Sequence, residues 1–488
     1  MDFFEILRVR SEQFCSKTTA LGLAFLVLVW VLSKQFKKNS KLPPGPTPWP
    51  IIGNLHQLGR LPHRSLYELS KKYGPVMFLR LGSLPCVVVS SSEMAKEFLK
   101  THDLAFANRP NTAAGKHIAY NNKNMGFSSY GPYLTYIRKV CVMELLSAKR
   151  LDSFRSLREE EVSLAMKSIW EKSKQGTVAV NVSKYLLDIT SAIIWRMLTG
   201  TRFSGDDVTG NGGLKKRMVK VHNFFDGIVG KITDDHSEQK RRALEEKREW
   251  TKDILDVLLD ISESQTLEVE FTKENIKGVL FDLFVAGMET TATSMEWVIT
   301  ALIKHPWVAK KLQEEIDSIV GKERMVTESD VPNMNYLQCV IKESLRLYPP
   351  GPLLPPHESS QIVTVAPQGY VIPTKTMLFV NAWAIARDPT VWEDADEFKP
   401  ERFMGNKTFE YQGQEFDMLP FGTGRRGCPG WHMAIGQISF VLPQLWHCFD
   451  WRLEGDPADL DMDEEIGLTV ARKNHLFAIP SRKLSTSF

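Results

Sequence analysis

Apolar residues recur at helical spacing along most of the chain and alternate with polar residues in only a few short runs. Spacings of three and four residues predict amphipathic helices. The clearest helical segments are 93–101, 157–171, 182–198, 240–261, 273–304, 307–320 and 334–347. The strand-like runs are 76–81, 86–90, 370–372, 377–381 and 476–480. The pattern therefore predicts an α+β fold that is mainly α, with small β-sheets built from early and late strands.

One apolar stretch near the N-terminus has no polar face. Residues 18–33, TTALGLAFLVLVWVLS, contain no charge over sixteen positions, close to the roughly 17–25 residues that span a bilayer. Four lysines and no acid follow in residues 34–41, whereas the charges of residues 1–17 cancel. Because cytoplasmic flanks carry the positive charge, we predict a lumenal segment (1–17), a transmembrane anchor (18–33) and a cytosolic body. The alternative is a cleaved signal peptide, but no small-residue cleavage site precedes the lysines.

A proline-rich segment follows the lysines, with prolines at positions 43, 44, 46, 48 and 50. These prolines exclude a helix and indicate a stiff extended arm. Residues 34–50 are therefore predicted to be a polybasic and proline-rich linker that holds the anchor away from the body. No second linker and no repeat follows. Residues 51–488 are thus predicted to form one domain, although 488 residues correspond to about three domains of average size.

Composition excludes several classes of protein. The 61 basic and 58 acidic residues give a net charge of +3, without the basic excess typical of nucleic-acid binding, so no nucleic-acid partner is expected. The cysteines form no C-x-x-C pair and are too sparse for a disulfide framework. They are Cys15, Cys86, Cys141, Cys339, Cys428 and Cys448.

The segment FGTGRRGCPG, residues 421–430, is the richest in candidate chemistry. Its four glycines allow a loop to approach a ligand closely. Pro429 suits the first position of a helix, which would place Cys428 at a helix N-terminus, where the dipole and free N–H groups stabilise a thiolate. A soft thiolate held in this way can serve as an axial ligand of haem iron.

The same glycines also match the spacing of a dinucleotide-binding fingerprint, at Gly422, Gly424 and Gly427. That motif requires a preceding strand within a βαβ unit. The residues before it include Pro420, which is unfavourable in a central strand. We therefore favour the haem-thiolate interpretation.

The pattern Phe421, Gly424, Arg426, Cys428 and Gly430 resembles the haem-binding loop of the cytochrome P-450 family. The resemblance implies the cytochrome P-450 fold for the whole chain. It also implies haem b as cofactor, with Cys428 as the metal ligand and Arg426, Phe421 and Gly430 among the cofactor-binding residues.

Further segments occur in the order found in that family. AGMETT at 286–291 resembles the oxygen-binding segment of the family. PERF at 400–403 resembles the segment that completes its buried ion pair. PPGP at 43–46 and GLT at 467–469 are similar to the plant microsomal branch. This branch implies a single-pass protein of the endoplasmic reticulum membrane with a cytosolic catalytic domain. It also implies NADPH-cytochrome reductase as partner.

Thr290 and Glu289 are the candidate catalytic residues. A threonine inside a helix can donate its hydroxyl to a backbone carbonyl, and an acid in an otherwise apolar stretch indicates proton handling. Gly287, which weakens a helix, suggests room for a ligand. The resemblance implies that Thr290 hydrogen-bonds dioxygen and that Glu289 helps to deliver protons to it.

Glu343 and Arg346 are three residues apart and share a helix face. The sequence alone predicts an exposed pair that contributes little to stability. The family resemblance instead implies a buried structural triad with Arg402 that supports the cysteine loop.

The haem propionates are assigned by resemblance to Arg138, Arg426 and His357. A solvent-exposed loop histidine is the alternative for His357. The chain departs from the family at Leu134, where tryptophan is usual, and at Thr135, where a basic residue is usual. The departure removes two potential hydrogen-bond donors to the propionates.

The resemblance implies a monooxygenase that uses dioxygen and reductase-supplied electrons to hydroxylate a lipophilic small molecule. A plant terpenoid is the first expectation and a phenolic compound the second. By analogy the pocket is largely apolar, with Asn108, Asn111 and His117 as possible polar contacts. Two alternatives stay open at this point: a haem-thiolate isomerase or dehydratase, and a non-enzymatic membrane-bound haem or sterol binder.

Overall fold

A computed structural model describes residues 22, 25, 41–202, 214–246, 252–263, 271–405, 409–411 and 415–484. Apart from two of its residues, the predicted anchor at 18–33 lies outside this part of the chain, as does the predicted lumenal segment. Among the described residues, no helix has the length and apolarity needed to cross a membrane.

Helices account for most of the described chain. The α-helices are α1 (Pro62–Tyr73), α2 (Ser92–Lys96), α3 (Ala113–His117), α4 (Pro132–Val140), α5 (Ala148–Ser153), α6 (Arg155–Lys172), α7 (Val182–Thr199), α8 (Leu214–Glu245), α9 (Ile254–Glu263), α10 (Lys273–Lys304), α11 (Pro306–Val320), α12 (Asn335–Leu347), α13 (Ala382–Ile385) and α14 (Trp431–Cys448). Single π-helical turns at Glu97–Thr101 and Cys141–Leu145 extend α2 and α4.

The strands form four small sheets. They are β1 (Val76–Leu81), β2 (Leu84–Val89), β3 (Val180–Asn181), β4 (His357–Glu358), β5 (Val363–Val365), β6 (Tyr370–Ile372), β7 (Met377–Val380), β8 (Phe449–Arg452), β9 (Glu464–Ile466), β10 (Val470–Arg472) and β11 (Phe477–Arg482). The largest sheet has the order β1-β2-β7-β4, in which only the β2–β7 pair is parallel. A second sheet has the order β3-β11-β8, and β5–β6 and β9–β10 are separate hairpins.

The predicted α+β architecture is confirmed, with one helix placed wrongly. The pattern at 240–261 predicts one continuous helix, but α8 ends at Glu245 and α9 begins at Ile254. Asp253 explains the new start, because its Oδ1 accepts a hydrogen bond from Asp256 N (2.9 Å) and so satisfies an N–H of the first turn.

Helix α10 runs through the main hydrophobic cluster, where it packs against α7, α12 and α14. It begins with a capping box in which Asn275 N donates to Thr272 Oγ1 and Thr272 N donates to Asn275 Oδ1. Its buried residues lie on all sides in its second half, as expected for a core helix. It ends before Pro306, because proline disfavours a helical conformation at His305. This buried helix carries Glu289 and Thr290.

The described part of the linker, residues 41–50, is not helical, as predicted, and it contacts the body. Phe78 N of β1 donates to Pro44 O (2.9 Å), and Val371 N of β6 donates to Lys41 O (2.6 Å). A Cβ on Gly45 would lie 1.9 Å from Phe78 O, so only glycine permits this approach. Residues 41–46 are therefore bound through their backbone to β1 and β6, and the predicted role of the linker in holding the anchor away from the body stays a prediction.

Candidate active site

The cysteine loop is a closed turn that needs its glycines. Cys428 N donates to Phe421 O (2.8 Å), which closes the loop. Gly424 has a φ of +67°, and a Cβ there would lie 2.8 Å from Asp103 Oδ1 and 2.9 Å from Leu99 O. At this position glycine is thus required by a neighbouring segment of the protein, and the loop presents Cys428 from a rigid frame.

Cys428 lies directly before α14, although the helix starts later than the sequence suggests. Gly430 is the N-cap and Trp431 the first helical residue, so Pro429 is outside the helix and its predicted first-position role is wrong. Burial raises the pKa of the Cys428 thiol, and a hydrogen bond with the Gly430 backbone and the charge of Arg138 oppose that rise. Both opposing interactions favour the thiolate. None of the five described cysteines forms a disulfide.

Three partly buried arginines lie in or beside the cysteine loop. Arg426 extends to backbone carbonyls rather than to solvent, with Nε 2.6 Å from Ala107 O. Arg138 on α4 donates from Nη2 to Gly427 O (2.8 Å). Arg109, which the sequence did not single out, donates to the carbonyls of Pro355 and Pro356. The pKa of Arg109 is lowered to about 9, first by burial and then by Arg426 and Arg138.

His357 faces the same cluster. It is 5% exposed on β4, so the exposed-loop alternative is wrong. Its Nδ1 donates to Phe106 O (2.8 Å). Burial, and then the charge of Arg109, lower the pKa of His357 to about 3. Its ring is therefore neutral in this arrangement, with Nε2 left as an acceptor.

The arginine cluster is built for an anion. In the described part of the chain, none of Arg109, Arg138 and Arg426 forms an ion pair, and the buried Nε of Arg109 has no hydrogen-bond partner. Desolvated positive charges without a counter-ion are costly, so a ligand that supplies negative charge fits here. Haem b offers two carboxylates for these arginines and an iron for the Cys428 thiolate. The residues present therefore fit the predicted cofactor.

Leu134 and Thr135, where the chain departs from the family pattern, make no polar contribution to this cluster. Leu134 is fully buried on α4. Thr135 Oγ1 donates back to Gly131 O (3.1 Å) at the exposed surface of the same helix. The cluster thus consists of Arg109, Arg138 and Arg426, with Arg109 as a cation that the sequence analysis had not counted.

The middle of α10 presents an accessible surface within an otherwise buried helix. Ala286 is exposed and residues 287–290 are partly buried, whereas residues 291–303 are all buried. Thr290 Oγ1 donates to Ala286 O (2.6 Å), as its sequence position predicts. A Cβ on Gly287 would lie 2.9 Å from Ile194 Cδ1 and 3.1 Å from Met433 Cε, the ends of two flexible side chains that would have to shift. The predicted role of Gly287 in leaving room for a ligand stays a prediction.

Glu289 has a partner that the sequence analysis missed. Thr469 Oγ1, in the β9–β10 hairpin, donates to Glu289 Oε1 (2.9 Å) and lies 3.2 Å from Thr293 Oγ1. The only sequence signal was the GLT segment at 467–469, which gives no indication of this contact.

Glu343, Arg346 and Arg402 meet in the interior. The sequence-only expectation of an exposed pair is wrong, since Glu343 and Arg346 are both fully buried. Arg346 Nε and Nη2 bind the two Glu343 oxygens at 2.8 and 2.9 Å, and Arg402 Nε lies 3.1 Å from Glu343 Oε1. Arg346 also donates to the carbonyls of Ala386, Ala395 and Glu397.

The link from this triad to the cysteine loop is indirect. Arg346 stacks on the Trp392 ring at 5.2 Å, and Trp392 Nε1 donates to Asp417 O (3.2 Å), four residues before Phe421. Phe421 is itself partly buried and packs edge-on against Tyr411, with ring centroids 6.1 Å apart. A supporting role for the triad stays a prediction.

Asp282 on α10 is a second residue that the sequence analysis missed. Its Oδ2 accepts from Met125 N (2.7 Å) and Gly126 N (2.9 Å), and its Oδ1 accepts from Asn124. Arg426 holds the same segment from the other side through Met125 O (3.3 Å). Asp282 thus ties residues 124–126 to the helix that carries Glu289 and Thr290.

Asp282 predicts a measurable pH dependence. Burial raises its pKa from 3.8 to about 6, although three hydrogen bonds favour the carboxylate. Between these pH values the folded chain retains a proton that the unfolded chain releases, so stability falls as the pH rises. Relative to Asp282→Asn, the wild-type free energy of unfolding should drop by about 2 kcal/mol from about pH 4 to about pH 7. Urea titrations of both proteins at several pH values measure this difference in the free energy of unfolding. A difference that stays constant or rises with pH would contradict a raised pKa for Asp282.

Comparison with known proteins agrees with this site. The family model described as Cytochrome P450 matches residues 43–211 and 211–478. Cytochrome P450 750A1 of Pinus taeda is 46% identical, over 94% of this chain and 94% of that protein. The 3,9-dihydroxypterocarpan 6A-monooxygenase of Glycine max is 38% identical, over 95% of this chain and 96% of that protein.

A solved structure is similar as well. A zebra fish cytochrome P450 determined with progesterone gives a TM-score of 0.73 at 25% identity, and the match covers 86% of this chain and 99% of that one. The closed cysteine loop, the arginines without an ion pair among the described residues and the family match over most of the sequence agree with one another. The chain therefore belongs to the cytochrome P450 family of haem-thiolate monooxygenases.

Proposed function

We propose that this protein hydroxylates a C–H bond of a lipophilic plant specialised metabolite. The observation that carries the proposal is the accessible surface of α10, where Ala286 is flanked by the partly buried apolar residues Val285 and Met288. Within residues 285–290, the polar side chains are those of Glu289 and Thr290. An apolar wall with few polar groups suits a substrate that has few polar handles. Haem bound through Cys428 would supply the activation of dioxygen.

The predicted polar contacts of the pocket are partly used within the protein. Asn108 Oδ1 accepts from Tyr130 N (2.9 Å), and Asn111 Oδ1 accepts from Asn122 Nδ2 (3.4 Å). His117 is partly buried. Because Asn108 and Asn111 are hydrogen-bonded within the protein, few polar groups are left to bind a substrate. A terpenoid, which has few polar groups, is therefore the first proposed class of substrate. The relative named for a dihydroxypterocarpan supports a phenolic compound as the second.

Electrons would come from NADPH through a separate cytochrome reductase. The protein would be anchored in the endoplasmic reticulum membrane by residues 18–33, with the body in the cytosol. The support for this arrangement is the uncharged stretch and the lysines that follow it. The test is protease treatment of sealed microsomes that contain the protein with an N-terminal tag. We expect the tag to be protected and the body to be digested. A protected body would contradict the proposed orientation.

The substrate proposal is tested by incubating the full-length protein in microsomes with reductase, NADPH and a panel of plant terpenoids and phenolics. A product that gains one oxygen atom, and that is absent without NADPH, is the expected result. Conversion without oxygen gain would instead support an isomerase or dehydratase. A phenolic product and no terpenoid product would reverse the order of the two substrate classes.

Replacement of Thr290 tests the oxygen segment. Thr290→Ala should lower the product formed per NADPH about tenfold while NADPH oxidation continues, because the Thr290 hydroxyl is lost from the accessible surface of α10. Thr291→Val is the matched control, since the adjacent Thr291 hydroxyl is buried without a partner among the described residues. Product and NADPH are measured together, and full coupling in Thr290→Ala would show that this hydroxyl is dispensable.

A further inference from the structure

Thr469 lies at the tip of the β9–β10 hairpin and reaches across to α10. It is 3% exposed, and its hydroxyl contacts Glu289 Oε1 at 2.9 Å and Thr293 Oγ1 at 3.2 Å. Its position is set by backbone contacts on the following residue: Trp297 Nε1 donates to Val470 O (3.1 Å), and Val470 N donates to Pro350 O (2.9 Å). The Thr469 hydroxyl is thus held towards Glu289, because the start of β10 is fixed by these two hydrogen bonds.

A hydroxyl at this place can serve both protonation states of the carboxyl group. It donates to a carboxylate, and by rotation it accepts from a carboxylic acid. Thr293 provides a second hydroxyl beside Thr469, and either of the two hydroxyls can be the donor. Glu289 Oε1 therefore keeps this hydrogen-bond partner in either form, whereas valine at 469 would leave the carboxyl oxygen without it.

We propose that Thr469 is a positioning residue that holds Glu289 oriented for proton delivery during turnover. The inference rests on the proposed function, in which Glu289 handles protons, and it assigns to the C-terminal hairpin a part in the proton pathway. Thr469 acts through Glu289 and not on the substrate. The hydroxyl, rather than the size of the side chain, is what matters.

The test compares Thr469→Val with Thr469→Ser in the full-length holoenzyme. Thr469→Val should lower product per NADPH about fivefold and increase the solvent deuterium isotope effect, since proton transfer becomes slower. Thr469→Ser should restore both values. A crystal structure of Thr469→Val should show the Glu289 carboxylate turned away from position 469. Unchanged coupling in Thr469→Val, or a loss that serine does not restore, would overturn the proposal.

Two controls separate positioning from general structural damage. Thr300→Val removes a buried α10 hydroxyl that donates to Glu296 O (2.7 Å), far along the helix, and should leave coupling unchanged. In a Glu289→Ala background, Thr469→Val should cause no additional loss, because its effect passes through Glu289. A further fivefold loss there would overturn the proposal. If the wild type yields no oxygenated product, the proposed function fails, and an unmoved Glu289 in the crystal structure would separately refute the positioning role.

Discussion

Replacing Cys428 by serine should abolish the thiolate signature in the carbon monoxide difference spectrum of the reduced protein. Serine keeps the size and the loop hydrogen bond to Phe421 O, but its hydroxyl stays protonated and its oxygen is a hard ligand. Haem held by this residue would lose the soft sulfur donor on which this spectrum depends. The spectrum is recorded on purified protein normalised to haem content.

The matched control is Cys339→Ser, the same chemical change at another cysteine. Cys339 is 7% exposed on α12, and burial raises the pKa of its thiol. Its replacement should leave the spectrum unchanged. An unaltered spectrum in Cys428→Ser would show that the iron takes its ligand elsewhere.

Replacing Arg346 by leucine should destabilise the protein more than any change at an exposed charge. Glu343 is fully buried and would lose the two hydrogen bonds that Arg346 donates, and three backbone carbonyls would lose a donor. Removing one partner of a buried ion pair costs about 3–5 kcal/mol. Chemical unfolding of the holo-protein, followed by tryptophan fluorescence, measures the loss.

An exposed pair of the same spacing provides the control. Arg241 and Glu238 are also three residues apart on a helix, at 2.9 Å, but both side chains are exposed. Arg241→Leu should leave the unfolding midpoint unchanged, because solvent-exposed pairs contribute little. Equal destabilisation by the two variants would mean that burial of the Glu343–Arg346 pair has no energetic consequence.

Local patterns were sufficient for much of the fold. The 273–304 helix is found at its predicted bounds, because its cap, its apolar interior and the following proline are all encoded within one stretch. The prediction of one helix over 240–261 was wrong because the helical pattern continues past the end of α8 at Glu245. The start of α9 depends instead on the cap that Asp253 provides. Hydrophobic spacing does not distinguish these cases.

The site residues that escaped prediction depend on contacts between distant segments. Thr469 is 180 positions from Glu289 in sequence, and Asp282 is 156 positions from Gly126. Arg109 differs from an ordinary surface arginine only because folding places it beside Arg138 and Arg426. No periodicity encodes such proximity. Cys428 was identifiable because its loop, arginines and following helix are contiguous.

We propose that this chain inserts an oxygen atom from dioxygen into a lipophilic substrate, with haem held by Cys428 and with Glu289 and Thr290 as the catalytic residues. Turnover of an accepted substrate under ¹⁸O-labelled dioxygen, with product analysed by mass spectrometry, tests it most directly. We predict one labelled oxygen atom per product molecule and no label when ¹⁸O is supplied as water. A product that is unlabelled under labelled dioxygen would contradict the claim.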